Sequence, residues 1–388
     1  MKPVLFVTGH APPDRVLPFA LLHEREEVEF ALFGGRSIHG AAPAGHTSEE
    51  QPVGQPYRAA EGLDAAGPFP FPHRFVGQRE VFGLAASGRY RAVVISTGGR
   101  VALPAGWAGA RAGRRPLLLW SALWAQPRSP LHAASGLALA RLYRSADAVV
   151  TYGPHVSEYV RRRGARNVHV APQAVDNAFW GAAASAPASD AWGLADGVRF
   201  LFVGRAAREK GLRALLSAWR ASGLTAPTAA LVLVGVGPSP PWAPTGGAAA
   251  PDGPSVRSVA PVGPAELRNF YAAADVLVMP SIPTATFREP WGLVANEAMN
   301  QRVPVIASDA VGAAAGGLIR HERNGLVVPA GDVDALAAAM GRLAADGELR
   351  RSLGAAAGLD VAAYTPQAWA EGFSAALASV GVSREGRC

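Results

Sequence analysis

Glu289 and Glu297 stand eight positions apart in the stretch Phe287-Arg-Glu-Pro-Trp-Gly-Leu-Val-Ala-Asn-Glu-Ala-Met299. Pro290 biases Glu289 toward an extended backbone and fits the first turn of a helix, where no amide partner is needed. The spacing therefore predicts Glu289 in a loop at a helix mouth and Glu297 about two turns inside. Between them the amides around Gly292 and Leu293 are free to meet an anion. A ligand with hydroxyls at both ends and phosphate in the middle would satisfy all three features, and a sugar nucleotide is such a ligand. Two glutamates at this spacing also arise in ordinary helices, so the pattern needs a second constellation.

Phe200-Leu-Phe-Val-Gly-Arg-Ala-Ala-Arg-Glu-Lys-Gly211 supplies it. It reads as a short buried strand, a Gly204-Arg205 turn and a basic loop that enters a helix over Leu212–Ala221. Arg205 and Lys210 would lie at the carboxyl end of that strand, where open α/β sheets bind ligands. An arginine fork and a lysine point charge together suit a diphosphate. Of thirty-seven basic residues only Lys2 and Lys210 are lysines, so an ammonium in this loop stands out against an arginine-biased background.

These two segments, with Leu231-Val-Leu-Val-Gly-Val-Gly-Pro238, Ala274-Asp-Val-Leu-Val-Met-Pro-Ser281 and Asn324-Gly-Leu-Val-Val-Pro-Ala-Gly-Asp332, resemble the retaining glycosyltransferases of family 4, of GT-B fold. The resemblance covers roughly residues 140 to 380, with several motifs in the expected order. It implies that Gly204, Arg205 and Lys210 hold the donor diphosphate, that Glu289 contacts the donor sugar and that Glu297 contacts the ribose. Gly9, Gly292 and Leu293 complete the donor contacts. Trp291 stands where the family usually has Phe. The resemblance weakens toward the N-terminus. The loop after the first strand, Thr8-Gly-His-Ala-Pro-Pro-Asp-Arg15, has one glycine, Gly9, where family members commonly carry a pair. Trp120-Ser-Ala-Leu-Trp124 occupies the place of a usual histidine, and the nearest histidine is His132. His10, Arg15 and Trp124 are the acceptor-side candidates. His10 could equally be a polar cap, and Trp124 ordinary core.

The elements that must position these residues alternate strand and helix, which implies two doubly wound α/β domains facing across a cleft. Expected strands in the first half are Pro3–Thr8, Val28–Phe33, Ala92–Ser96, Pro116–Trp120, Ala148–Thr151 and Val168–Ala171. In the second they are Arg199–Val203, Leu231–Val234, Val276–Met279, Val303–Ala307 and Gly325–Val328. An N-terminal, acceptor-side domain over 1–176 and a nucleotide-sugar domain over 177–365 follow, with a seam near Asn177–Gly197. By resemblance the C-terminal segment 366–388, with a helix over Pro366–Ser379, crosses back onto the first domain. The Gly/Pro-rich segments Gly40–Pro72 and Gly237–Ser255 read as loops, the first able to shape an acceptor pocket.

Composition sets the outer bounds. At 388 residues the chain exceeds one ordinary core. A hydrophobic content of 49% and a mean hydropathy of +0.12 fit a globular protein. No apolar run has the length of a membrane helix, and Met1-Lys-Pro-Val-Leu-Phe-Val7 lacks a signal-peptide build. The single cysteine, Cys388, excludes an internal disulfide and a thiolate zinc cluster. A reducing cytoplasm is the compartment these features imply. Between Val81 and Arg166 thirteen arginines face two acids, Asp147 and Glu158. This implies either a solvated basic face or a peripheral contact at the inner membrane face or with a lipid-diphosphate acceptor. Nucleic acid is not implied, because the arginines are not interleaved with stacking aromatics.

The expected function is transfer of a sugar from a nucleotide-sugar donor to a sugar, lipid-linked or small-molecule acceptor hydroxyl, with retention. No cofactor or metal is expected, since no Asp-x-Asp cluster is suited to holding a divalent cation at the diphosphate. A sugar-nucleotide epimerase and a non-catalytic sugar-nucleotide-binding subunit are the alternatives. A phosphorylase would need a pyridoxal-phosphate lysine, and Lys210 is committed to phosphate.

Overall fold

The computed structural model describes residues 1–34, 69–126, 130–184, 192, 196–237 and 255–384. The chain forms two compact units: Met1–Asp176 joined by the chain from Tyr364 onward, and Asn177–Ala363. Most of the two Gly/Pro-rich segments, and Cys388, lie outside the described residues, as does the side chain of His132.

Unit 1 contains β1 (Val4–Thr8), α1 (Pro13–Glu26), β2 (Val28–Leu32), β3 (His73–Phe75), α2 (Val81–Ala86), β4 (Ala92–Ser96) and α3 (Ala102–Ala112). After them come β5 (Leu117–Ser121), α4 (Pro130–Ser145), β6 (Ala148–Thr151), α5 (Pro154–Arg161) and β7 (Val168–Val170). Its sheet is parallel throughout, in the order β3-β2-β1-β4-β5-β6-β7. β1 and β5 are buried at all five positions, as befits strands covered by helices on both faces. The uninterrupted apolar runs Val4-Leu-Phe-Val7 and Leu117-Leu-Leu-Trp120 are what make that possible.

Unit 2 opens with α6 (Asn177–Gly181) and β8 (Val198–Val203). A 3₁₀ turn (Arg208–Lys210), α7 (Leu212–Ser222), β9 (Ala229–Val234), β10 (Val256–Val259), α8 (Pro264–Ala273) and β11 (Val276–Met279) follow. The unit continues through α9 (Val294–Asn300), β12 (Val305–Ser308), α10 (Gly312–Ala315), β13 (Gly325–Val328), α11 (Val333–Ala345) and α12 (Gly347–Val361). Its parallel sheet runs β10-β9-β8-β11-β12-β13. Two strands, β3 and β10, are absent from the sequence reading. Both are edge strands with polar, partly exposed residues such as Arg74, Arg257 and Ser258, so neither shows a buried-strand run.

The final helix, α13 (Pro366–Ser379), packs in unit 1. Trp369 and Phe373 are fully buried there. Their rings meet at 4.4 Å, and Phe373 lies 5.3 Å from Phe6 and 5.9 Å from Trp120. Burying one such ring is worth about 1.5–3 kcal/mol, which anchors the returning chain. Three helices near the chain end start on side-chain caps: Asp332 accepts from the Ala335 amide, Asp346 from Leu349 and Thr365 from Ala368. α9 begins after Leu293 without one.

Candidate functional site

In each sheet the strand order reverses beside the unit's first strand, between β1 and β4 and between β8 and β11. Ligands of open parallel sheets bind outside the carboxyl ends of the strands at such a point. In unit 2 the segments leaving this point are Gly204–Gly211 after β8 and the chain from Pro280 to Leu293 after β11. They carry Arg205, Lys210 and Glu289.

The two segments are stitched together by backbone. Gly211 has φ +70°, and a Cβ there would lie 1.8 Å from the Pro280 carbonyl oxygen, so only glycine lets the turn rest on the end of β11. The Ile282 amide donates to the Glu209 carbonyl at 2.9 Å. This brings Lys210 Nζ to 2.5 Å from Glu289 Oε2, across 79 positions of sequence. Glu289 is 8% exposed, and Ser281 Oγ stands 3.4 Å from the same oxygen. The Glu289 carbonyl accepts from the Gly312 amide at 3.1 Å, and the Trp291 carbonyl from Ala313 at 2.8 Å. A Cβ at Gly312 would meet the Pro290 oxygen at 1.9 Å, so α10 reaches this loop only with glycine at its start. Trp291 is buried and its Nε1 donates to Asn296 Oδ1 at 2.8 Å. Glu289 is therefore a carboxylate on a rigid loop, held against the ammonium of the chain's second lysine.

The helix after Glu289 starts later than the sequence predicts. Gly292 adopts φ +96°, a left-handed geometry that breaks any helix begun at Pro290. α9 opens at Val294, and Glu297 sits in its first turn instead of two turns inside. The amides around Gly292 and Leu293 belong to the turn, and seven helical residues make a weak macrodipole. Positive side chains must supply more of any anion stabilisation than the sequence alone implies. Glu297 Oε2 accepts from the Tyr271 hydroxyl at 2.7 Å. Arg205 is the exposed member of this set: its side chain is 76% exposed and Nη2 lies 3.2 Å from Glu209 Oε1. Gly204, at φ +157°, turns the chain off β8, with room for a Cβ only 3.3 Å from Phe202.

The remaining candidates belong to unit 1. Gly9 accepts from the Gly34 amide at 2.8 Å, and a Cβ there would make only ordinary contact with Phe33 at 3.8 Å. His10 lies on Gly34: a Cβ at residue 34 would fall 2.0 Å from its Cε1. It does not cap α1, which begins after Pro12 without a side-chain cap. Arg15 is 5% exposed. Its guanidinium donates to Gln173 Oε1, lies 3.4 Å from Asp14 and stacks over Trp120 at 5.7 Å and Tyr152 at 6.0 Å. It braces the first turn of α1 against β5 and the segment after β7. Trp124 is half-buried, edge-on to His155 at 5.1 Å. Residues the sequence reading passed over are Ser281, Gly312, Asn296 and Tyr271. Only Ser281 carried a signal, as the polar residue that ends the Ala274–Ser281 motif.

The arginine-rich stretch gathers largely at the edge where strands β4 to β7 begin. Arg89, Arg111, Arg114, Arg161 and Arg162 are exposed near helix ends there, at the opposite edge of the sheet from Gly9 and His10. Cations at helix C-termini complement the peptide dipoles; Arg111 also pairs with Asp147 at 3.5 Å, and Arg162 pairs with Glu158. Among the described residues no helix is long and apolar enough to cross a membrane, and no group of three His, Cys, Asp or Glu is placed to hold a metal ion.

Residues 197–346 match the family model described as glycosyl transferases group 1. Over its whole length the chain is similar to a sucrose-phosphate synthase from Thermosynechococcus elongatus, with a TM-score of 0.66, 22% identity and coverage of 98% of this chain and 99% of that one. HepE of Anabaena in complex with UDP aligns with a TM-score of 0.69 at 19% identity, covering 98% and 100%. The fold is GT-B. Within it, a D-inositol 3-phosphate glycosyltransferase of Streptomyces griseus subsp. griseus is 40% identical over 132 residues, 31% of this chain and 25% of the relative. One from Corynebacterium jeikeium is 37% identical over 119 residues, 30% and 26%. The chain thus spans about a quarter of the length of the curated relatives it matches. The GT-B sheet that carries Lys210 and Glu289 falls within the stretch that matches the family model.

Proposed function

We propose that this protein is a retaining, metal-independent glycosyltransferase of family 4 that moves a sugar from a nucleotide-sugar donor to an acceptor hydroxyl. The observation that carries the proposal is the Lys210–Glu289 pair at the switch point of the unit 2 sheet. It sets a cation for the diphosphate beside a carboxylate for the sugar. The match of residues 197–346 to glycosyl transferases group 1 supports it, as does the fold likeness to proteins solved with UDP and UDP-glucose.

In this reading Lys210 and Arg205 hold the diphosphate, and Glu297 the ribose. As the glycosidic C–O bond breaks, negative charge grows on the departing nucleoside diphosphate and the sugar becomes oxocarbenium-like. The ammonium of Lys210 and the guanidinium of Arg205 stabilise the leaving charge without a metal. A leaving phosphate oxygen takes the acceptor's proton on the same face, and the acceptor oxygen bonds to the anomeric carbon. Glu289 positions and electrostatically supports the sugar and does not attack it. Gly9 lies against the donor phosphates, and His10 and Trp124 serve the acceptor side. The acceptor is a sugar, a lipid-linked sugar or a small molecule, met in the cytoplasm or at the inner membrane face.

The test starts from a thermal-shift screen of nucleotides and nucleotide sugars and continues with turnover of the best donor across acceptors. Activity is expected to survive excess EDTA, and an α-linked donor is expected to give an α-linked product by proton NMR. A β-linked product would show inversion and turn attention to His10 as a general base, since inversion needs a protein base opposite the leaving group. Conversion of the donor with no acceptor present would favour an epimerase, and binding without turnover a sugar-nucleotide-binding subunit. The membrane part of the proposal has its own measurement. Co-sedimentation with phosphatidylglycerol vesicles at low salt, lost at 1 M salt (a Debye length of about 3 Å), is expected; equal binding to neutral vesicles would remove it.

A further inference from the structure

Tyr271 lies in the last turn of α8. It is fully buried, and its hydroxyl donates to Glu297 Oε2 at 2.7 Å. Its ring meets Trp180 of α6 edge-on at 5.8 Å. Glu297 projects from the first turn of a seven-residue helix that has no side-chain cap, so its orientation depends on side-chain contacts such as the Tyr271 bond. A flexible Glu loses two or more rotatable bonds when it engages a ligand, at a cost in entropy. One oxygen held by a buried phenol removes most of that freedom in advance.

We infer that Tyr271 is a positioning residue: by holding Oε2 of Glu297 it fixes the carboxylate in the orientation that receives the ribose hydroxyls of the donor nucleotide. The inference rests on the assignment of Glu297 to the ribose. The direction of the bond is secure. Burial, then the neighbouring Glu297 charge and the bond itself, push the phenol well above its ordinary value, so Tyr271 stays protonated and donates to the carboxylate oxygen. Trp180 and α8 hold the ring in place, and α9 is tied to α6 through Asn300 Nδ2 to Asn177 Oδ1 at 3.1 Å. The phenol is thus aimed by the same packing that seats the helix bearing Glu297.

The test measures binding by calorimetry to whichever of UDP, ADP and GDP the wild type holds most tightly, and to its 2′,3′-dideoxy counterpart. Tyr271→Phe keeps the ring and its contact with Trp180. It is expected to weaken the ribonucleotide about tenfold and the dideoxynucleotide less than twofold, which narrows the ribo-over-dideoxy ratio; ten-fold corresponds to about 1.4 kcal/mol. Glu297→Ala is expected to abolish the ratio. A general loosening of unit 2 would weaken both ligands alike, and that outcome overturns the positioning role. So does an unchanged ratio in Tyr271→Phe when Glu297→Ala removes it. If Glu297→Ala keeps the wild-type ratio, the ribose assignment itself falls and Tyr271 falls with it, by a signature distinct from the other two.

Discussion

Glu289→Gln is expected to lower turnover about a hundredfold while binding of nucleoside diphosphate holds or tightens. One well-placed polar contact in the transition state is worth about 3 kcal/mol, and 1.36 kcal/mol is tenfold in rate. The second half of the prediction comes from the geometry. Glu289 holds Lys210 at 2.5 Å, so a diphosphate must compete with the carboxylate for the ammonium. The amide of glutamine competes less, and the diphosphate gains what the carboxylate gives up. Steady-state kinetics with saturating donor, alongside calorimetry with the diphosphate alone, check both halves. Equal turnover would remove Glu289 from the site. A weaker diphosphate complex would mean that the pair acts on phosphate as one unit.

Lys210→Ala is expected to damage binding and stability together. Loss of a charged hydrogen-bond donor to the diphosphate costs about 1.5–3 kcal/mol, which is roughly ten- to hundredfold in affinity, and less for a monophosphate. The same change leaves Glu289, 8% exposed, without its ammonium. Breaking a fully buried pair costs about 3–5 kcal/mol; with Lys210 21% exposed, about 2 kcal/mol is expected here. For a unit of this size that lowers the transition temperature by about 4–8 °C. Lys210→Met combined with Glu289→Gln should regain most of the lost stability and remain inactive, because two matched neutral chains need no partner. Calorimetric scans and diphosphate titrations of the single and double variants decide it. A single variant that unfolds like wild type would show that the pair is no structural tie, and one that binds diphosphate like wild type would break the phosphate assignment.

The fold was legible where burial writes an uninterrupted apolar run. Val4–Thr8, Leu117–Ser121 and Val276–Met279 could be nothing but covered strands, and they set both sheets. His73–Phe75 and Val256–Val259 were not legible, because an edge strand needs no more than half its residues apolar and these have no more than that. At the site, the rarity of lysine singled out Lys210, and Pro290 singled out Glu289. What sequence could not show is that the two would meet, since the meeting depends on Gly211 resting on Pro280 and Gly312 on Pro290. The same proline misled on the helix start, where the left-handed Gly292 takes precedence. Tyr271 stayed hidden for a different reason: a tyrosine among apolar helix residues looks like core until its hydroxyl is seen against Glu297.

The aromatic seam between β1, β5 and α13 also constrains the order in which this protein can be built. Phe6 and Trp120 are made before unit 2, yet the rings that close over them, Trp369 and Phe373, are made after it. All of unit 2 is translated in between. Unit 2 is a continuous segment and can acquire its own core while synthesis proceeds. Unit 1 must wait, with its apolar face open, until α13 has been made, so its exposure to chaperones is set by the length of an insertion that contributes nothing to its sheet.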